Sequence, residues 1–235
     1  MQKKIALFFF DLTGLMAQPW LDAGYECWLF DGQHKEGVHR DGDLVRVGMM
    51  FDAYNTKRDL ETIRMMIWGE VAFVFGFPEC TDLAVSGNAH IAAKLRKNPA
   101  CQAEAVELAR FVSYVGELFG CPWGLENPVG VLATIWRAAS HWFDPFNYAG
   151  YLPEDDIHPI YPNNVKPRDA YPKKTGIWCG NGFVMPPFKT IPLGEEADKN
   201  RQSKLGGRSL RTKNIRSATP RGFSKAVFIY NGVTQ

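Results

Sequence analysis

The stretch Ile5–Asp31, IALFFFDLTGLMAQPWLDAGYECWLFD, decides how the fold is read. Ile5–Phe10 is an unbroken apolar run of six residues, the length of a strand covered on both faces. Leu15–Ala23 then has the composition of a short helix, and Tyr25–Asp31 is a second strand ending on an acid. Strand, glycine-bearing turn, helix and strand make the opening unit of an α/β fold. The first run follows Lys3 and Lys4, is too short to span a bilayer, and lacks a small-residue cleavage site. An unsecreted protein of the cytoplasm is expected.

Working outward, a polar, glycine-rich loop is expected from Gly32, and Lys57–Trp68 has helical composition. Val71–Phe77 is an apolar strand stopped by Pro78. Pro99–Phe119 is the clearest helix, with Val106, Ala109, Val112, Val115 and Leu118 at three-residue steps. Trp123–Asn127 is a short strand ended by Pro128. Ala139–Pro172, rich in Pro, Tyr, Asp and Asn, reads as a long loop. Gly176–Gly180 and Ala226–Tyr230 are candidate late strands. The expected architecture is a mostly parallel sheet covered on both sides, one domain over residues 1–235, with a basic insert at 181–213.

Composition narrows the class. The 235 residues are 46% hydrophobic and 22% charged, which excludes disordered and collagen-like chains. Five cysteines form no CxxC pair, and five histidines show no ligand spacing, so neither a disulfide framework nor a metal is assigned. The net charge of +2 is divided unevenly. Asn164 to Lys225 holds 14 basic against 4 acidic residues, whereas the rest holds 13 against 21. A basic third on an acidic body implies a face for a polyanion, or else a solvated tail.

In open parallel sheets ligands bind beyond the carboxyl ends of the strands. Phe10-Asp11-Leu12-Thr13-Gly14 follows the first strand, and Asp31, seventeen residues beyond Gly14, ends the second. That is near the ~20-residue spacing at which an acid bonds a ribose hydroxyl. Cys80 lies in the turn Gly76–Asp82, and Glu126 ends the apolar run WGLE. A thiol held in a proline turn beside an unpaired acid suits nucleophilic chemistry. Taken singly, Asp31 is also an ordinary strand-end aspartate and Cys80 an inert packed thiol.

The order FDLTG, acidic strand end, Pro-x-Cys, Glu-Asn-Pro resembles the DNA (cytosine-5)-methyltransferases, above all small phage-type members with a run ending in TPRGF. DAGYECWLFD, ECTDLAVSG, WGLENPVG, YPKKTGIWCGNGFVMP and RSATPRGFSKAVF carry the resemblance. It implies a Rossmann-like fold that uses S-adenosyl-L-methionine (SAM). It further implies that Phe10, Thr13, Gly14 and Pro78 border the cofactor, that Asp31 bonds its ribose, and that Asp59 contacts its adenine. Cys80 is then the nucleophile, Glu126 the acid that engages the cytosine ring, and Lys173 the stand-in for an arginine segment. Arg216, Thr219 and Pro220 resemble the Arg-x-x-Thr-Pro segment.

The implied activity is methylation of cytosine C5 in phage DNA held by the basic C-terminal third, with no membrane and no obligate protein partner. Residues 181–213 are the reduced target-recognition insert. Methylation of RNA or a free nucleotide, and an inactive DNA-binding module, are the alternatives. The sequence departs from the family pattern at Leu12, in place of a glycine, and at Glu79, in place of a proline. Pro128 replaces a valine, and Thr175 falls where the last arginine of the arginine segment belongs. A carboxylate at Glu79 raises the cysteine pKa unless it turns away.

Overall fold

The computed structural model describes residues 3–84, 88–193, 205 and 209–232. Its strands are β1 (Ile5–Phe9), β2 (Glu26–Asp41), β3 (Leu44–Gly48), β4 (Val71–Gly76), β5 (Trp123–Pro128), β6 (His141–Phe143) and β7 (Thr175–Gly180). The α-helices are α1 (Gln18–Asp22), α2 (Thr56–Met66), α3 (Asn88–Lys97), α4 (Cys101–Phe119), α5 (Leu132–Ile135), α6 (Leu210–Arg216) and α7 (Arg221–Asn231). The strands form one sheet in the order β3-β2-β1-β4-β5-β7-β6, parallel through β5, with β7 antiparallel to both its neighbours. This is an α/β protein with a mostly parallel open sheet, compatible with a Rossmann-like fold.

All five residues of β1 are buried, and their alternation divides the interior into two cores. Ile5, Leu7 and Phe9 join Ile63 of α2 and Val106, Ala109, Val112 and Val115 of α4 on one face. Ala6 and Phe8 join Trp20 of α1 and Phe223, Ala226 and Val227 of α7 on the other. The expected stripe of α4 is buried except at Leu118, which is 39% exposed in the last turn. Gly120, in the left-handed region at φ 63°, caps that helix.

Two expected elements take other forms. From Gly32 the chain does not loop: β2 runs on to Asp41, folds back and pairs antiparallel with β3 (Val38 opposite Val47, Asp41 opposite Leu44). Gly42-Asp43, with Gly42 at φ 58°, makes the two-residue hairpin turn between Asp41 and Leu44. Most of this ribbon faces water, so it carries no apolar alternation for a sequence reading to detect. Ala226–Tyr230 is not a strand but the end of α7. Phe223, Ala226 and Val227 are buried while Lys225, Ile229 and Tyr230 are exposed, which is helical spacing once Arg221–Lys225 is included. The long segment 139–172 holds β6 and two 3-10 helices, Pro145–Tyr151 and Pro167–Asp169.

No helix among the described residues is long and apolar enough to cross a membrane. The sheet order reverses direction between β1 and β4, and in open α/β sheets the ligand crevice lies beyond the carboxyl ends of the strands at such a point. Beneath it Phe9 stacks on Phe30 at 4.8 Å, and Phe51 and Phe111 close around them. On the opposite face Trp20 stacks on Phe73 at 4.4 Å and meets Tyr25 and Phe228 edge-on. Trp20→Ala is expected to cost about 3–5 kcal/mol. Trp20→Phe keeps the ring and sheds an indole N–H that has no partner, so it costs far less. Urea unfolding midpoints of the two variants check this order.

Candidate active site

The end of β1 is a strained turn built around a buried acid. Phe10 adopts φ 57°, left-handed for a bulky residue, and its ring meets Phe51 edge-on at 5.4 Å. Asp11, only 2% exposed, accepts hydrogen bonds at Oδ1 from the Gly14 N–H (2.8 Å), the Thr13 N–H (3.1 Å) and the Thr13 hydroxyl (3.2 Å). Its Oδ2 is buried and has no partner. Burial pushes the Asp11 carboxyl up to about 6, against the pull of those donors. Gly14 sits at φ 70°, and a Cβ there would lie 3.0 Å from Leu29 Cδ2, so the turn needs glycine twice over.

Beside this turn, Asp31 ends the parallel part of β2, buried, its Oδ1 accepting the Gln33 N–H at 2.7 Å. Burial raises its pKa, which the Gln33 bond opposes. His34 donates from Nε2 to the Asp11 carbonyl at 3.2 Å, and burial lowers its pKa, which the Asp31 charge opposes. The expected cofactor residues Phe10, Thr13, Gly14 and Asp31 thus meet at one end of β1 and β2. Asp11 is a site residue that the sequence reading passed over. Its signal was an acid directly after the apolar Phe8-Phe9-Phe10, where burial is costly.

The ends of β4 and β5 are tied together. Pro78 is buried, and its carbonyl accepts from the Asn127 side chain at 3.0 Å. The Cys80 carbonyl accepts from the Leu83 and Ala84 N–H groups, which closes a turn over the thiol. Ala84 bridges Gly130, and the Val131 N–H donates to the Leu83 carbonyl at 2.8 Å. A Cβ at Gly130 would lie 1.9 Å from that carbonyl oxygen, so only glycine permits the contact.

Into this frame Lys173, just ahead of β7, brings its Nζ within 3.6 Å of Glu126 Oε1. Burial raises the pKa of the Cys80 thiol, and the Glu126 charge adds to the rise. Lys173 opposes it, and Glu79 adds a smaller push. The three expected catalytic groups therefore share one electrostatic neighbourhood. Glu79 does turn away: it is 69% exposed and held by the Thr81 hydroxyl and by Lys213 at 3.7 Å.

Other expected residues lie elsewhere. Asp59 is buried in the first turn of α2, its Oδ1 paired with Arg58 at 2.8 Å and its Oδ2 accepting the Asp52 N–H at 3.4 Å. Both oxygens are engaged, Oδ1 by Arg58 of the same helix and Oδ2 in fastening the loop before α2. Thr219 and Pro220 are buried ahead of α7, and Arg216 is exposed. Asp156 forks onto Arg221 at 2.7 and 2.6 Å, a structural pair that also engages Asp169.

The expected insert at 181–213 is described only in part. Residues 194–204 and 206–208 lie outside the described residues, and its first part is a strap on the second core. Phe183 packs on Phe73 and Phe75, Tyr148 and Tyr151 donate to the Pro186 and Pro187 carbonyls, and Asn231 bonds both backbone groups of Val184. No protein-family profile matches the chain, and no curated protein matches it in sequence.

Two substitutions act on the thiol with opposite signs. Glu126→Gln removes a charge that raises the Cys80 pKa, so alkylation by iodoacetamide near pH 8 speeds up by about three- to tenfold. Lys173→Met removes the opposing charge and slows it. Rates resolved on the Cys80 peptide by mass spectrometry decide. Asp11 has a linked effect on stability. A carboxyl raised by folding contributes stability below its ordinary value near 4 and loses it as pH rises through about 6. Asp11→Asn is therefore expected to remove a loss of up to about 3 kcal/mol between pH ~4 and ~7, measured by urea unfolding at both ends.

Proposed function

We propose that the protein transfers a methyl group from SAM to C5 of a cytosine in DNA through a covalent adduct on Cys80. The observation that carries this reading is the convergence of Cys80, Glu126 and Lys173 at the ends of β4, β5 and β7, beside the crevice at β1.

The crevice suits a cationic cofactor better than a dinucleotide. The N–H groups of Thr13 and Gly14 are spent on the Asp11 carboxylate, so they do not present a cradle to a phosphate. Asp11 Oδ2 is a buried acceptor without a donor, and Asp31 is a second buried acid close by. A sulfonium bearing an amino group and a ribose supplies the positive charge and donors this lining lacks. Phe10, Thr13, Gly14, Asp31 and Pro78 are the residues that would hold it, with Asp11 added from the geometry. When bound, SAM supplies an electrophilic methyl group.

The chain's own groups do the rest. C5 of cytosine is a poor nucleophile while the ring stays aromatic. The Cys80 thiolate forms a bond to C6, and Glu126 shares a proton with N3, so that C5 gains electron density. Once C5 carries the methyl group, its proton passes to solvent, the C6–S bond breaks and N3 returns its proton to Glu126, which restores the ring and the thiolate. Lys173 steadies the thiolate against the Glu126 charge and orients the carboxylate. A raised thiol pKa suits a nucleophile that is idle until the base arrives. A target in duplex DNA has to flip out at a cost of about a few kcal/mol. Cations between Lys166 and Lys225 hold the phosphates, which makes binding salt-dependent.

One observation favours a second reading, transfer to cytosine in RNA or in a free nucleotide. Residues 181–191, a third of the expected base-reading insert 181–213, are tied to the protein's own second core through Phe183 and the Pro186 and Pro187 carbonyls. Incubation with methyl-labelled SAM and unmethylated DNA tests the first reading. Label in cytosine C5 that disappears in Cys80→Ala is the expected result. Label in RNA or nucleotide alone supports the second reading, and absence of both cofactor binding and label makes the chain an inactive module.

A further inference from the structure

Helix α6 crosses the carboxyl edge of the sheet and holds on at two places. At one, the Asn214 and Gln33 side-chain amides exchange hydrogen bonds at 3.1 and 3.5 Å across 181 residues of sequence. Gln33 also gives its backbone N–H to Asp31. At the other, Lys213 pairs with Glu79, the residue before Cys80, at 3.7 Å.

Gln33 lies beyond the carboxyl end of the parallel part of β2 and Glu79 beyond that of β4, and β1 is the strand between them. Neighbouring strands are ~4.8 Å apart, so two adjacent residues of one helix can span the two-strand gap of roughly 10 Å. A helix fastened at both points therefore passes over the end of β1, where Phe10–Gly14 and the crevice lie.

Charge and anchoring agree with this placement. Arg211, Lys213 and Arg216 are all exposed on α6, which overlies an edge carrying Asp11, Asp31, Glu79 and Glu126. The helix is seated by Ile215 alone among its seven residues, and the chain after it is buried from Ala218 to Pro220. Its two grips are exposed polar contacts, which are individually weak and easily exchanged for water or for another charge.

We propose that α6 is a clasp over the cofactor crevice, opened when a nucleic-acid phosphate takes Lys213 from Glu79. This rests on the methyltransferase reading above. Cofactor exchange and substrate binding are then coupled through one short helix, and the released Glu79 meets the incoming strand beside the nucleophile.

The test compares the native chain with Lys213→Gln and Gln33→Ala, both surface changes whose folding is checked by thermal melting. Association and dissociation of SAM are followed by stopped-flow tryptophan fluorescence, with and without a cytosine-containing oligodeoxynucleotide. A clasp predicts that both rates rise about three- to tenfold in each variant while Kd scarcely moves. The oligonucleotide produces the same rise in the native chain and adds nothing in Lys213→Gln. Unchanged rates overturn the proposal. So does a rise in dissociation alone, which marks a contact with bound cofactor, or an oligonucleotide effect that survives the loss of Lys213. If the native chain binds no SAM, the methyltransferase reading fails separately. Maleimide labelling of Cys80 then decides the clasp: faster labelling in the variants upholds the cover over the crevice, and equal labelling removes it.

Discussion

The burial of β1 on both faces is the constraint from which the rest of the structure follows. Five consecutive side chains must find partners, and their alternation sends Ile5, Leu7 and Phe9 to one side and Ala6 and Phe8 to the other. Each side then needs its own helical cover, supplied by α2 and α4 below and by α1 and α7 above. With both faces covered and β2 and β4 hydrogen-bonded on either edge, β1 meets polar groups only at its ends. The acid that follows the strand is therefore forced into a desolvated turn. Asp11 survives there because the turn wraps its N–H groups around the carboxylate.

That arrangement makes the carboxyl edge an acidic place with few counter-charges. Asp11 and Asp31 are raised by burial, and the charges of Glu126 and Glu79 push the Cys80 thiol upward. Lys173 and Lys213 meet this edge at Glu126 and Glu79, and Lys94 meets the Cys80 turn at Asp82. Lys173 comes from the approach to the antiparallel β7, and Lys213 from the helix laid across the mouth. Their pairing with Glu126 and Glu79 separates the two carboxylates into an inner one, 12% exposed, and an outer one, 69% exposed. Similar side chains thereby acquire different surroundings: one is held inside beside the thiol, the other faces water.

Rigidity at the Cys80 turn is obtained from contacts that span two strand ends. Asn127 reaches the Pro78 carbonyl, and Gly130 lets the chain after β5 lie against Leu83. The Cys80 turn is held from the β5 side, so the thiol and Glu126 keep a common frame. The β2–β3 ribbon is tied in near its base, where Gln33 meets Asn214 and His34 meets the Asp11 carbonyl.

Much of this was legible in the chain. Ile5–Phe10, Val71–Phe77 and the stripe of Pro99–Phe119 declare themselves because burial has a period, and a period is local. Cys80 and Glu126 stand out at strand ends, since polar residues that stop apolar runs are costly wherever they fall. Asp11 was missed because its role depends on a turn only three residues long. The β2 ribbon was missed because water on both sides erases alternation, and α7 because its apolar core AVFIY is too short to separate strand from helix. By itself the sequence determined which segments are buried and which residues end them. Only the tertiary structure decided which ends are neighbours, because strand order across the sheet is not chain order. Lys173 meets Glu126, and α6 meets Gln33 and Glu79, through pairings that no local pattern encodes.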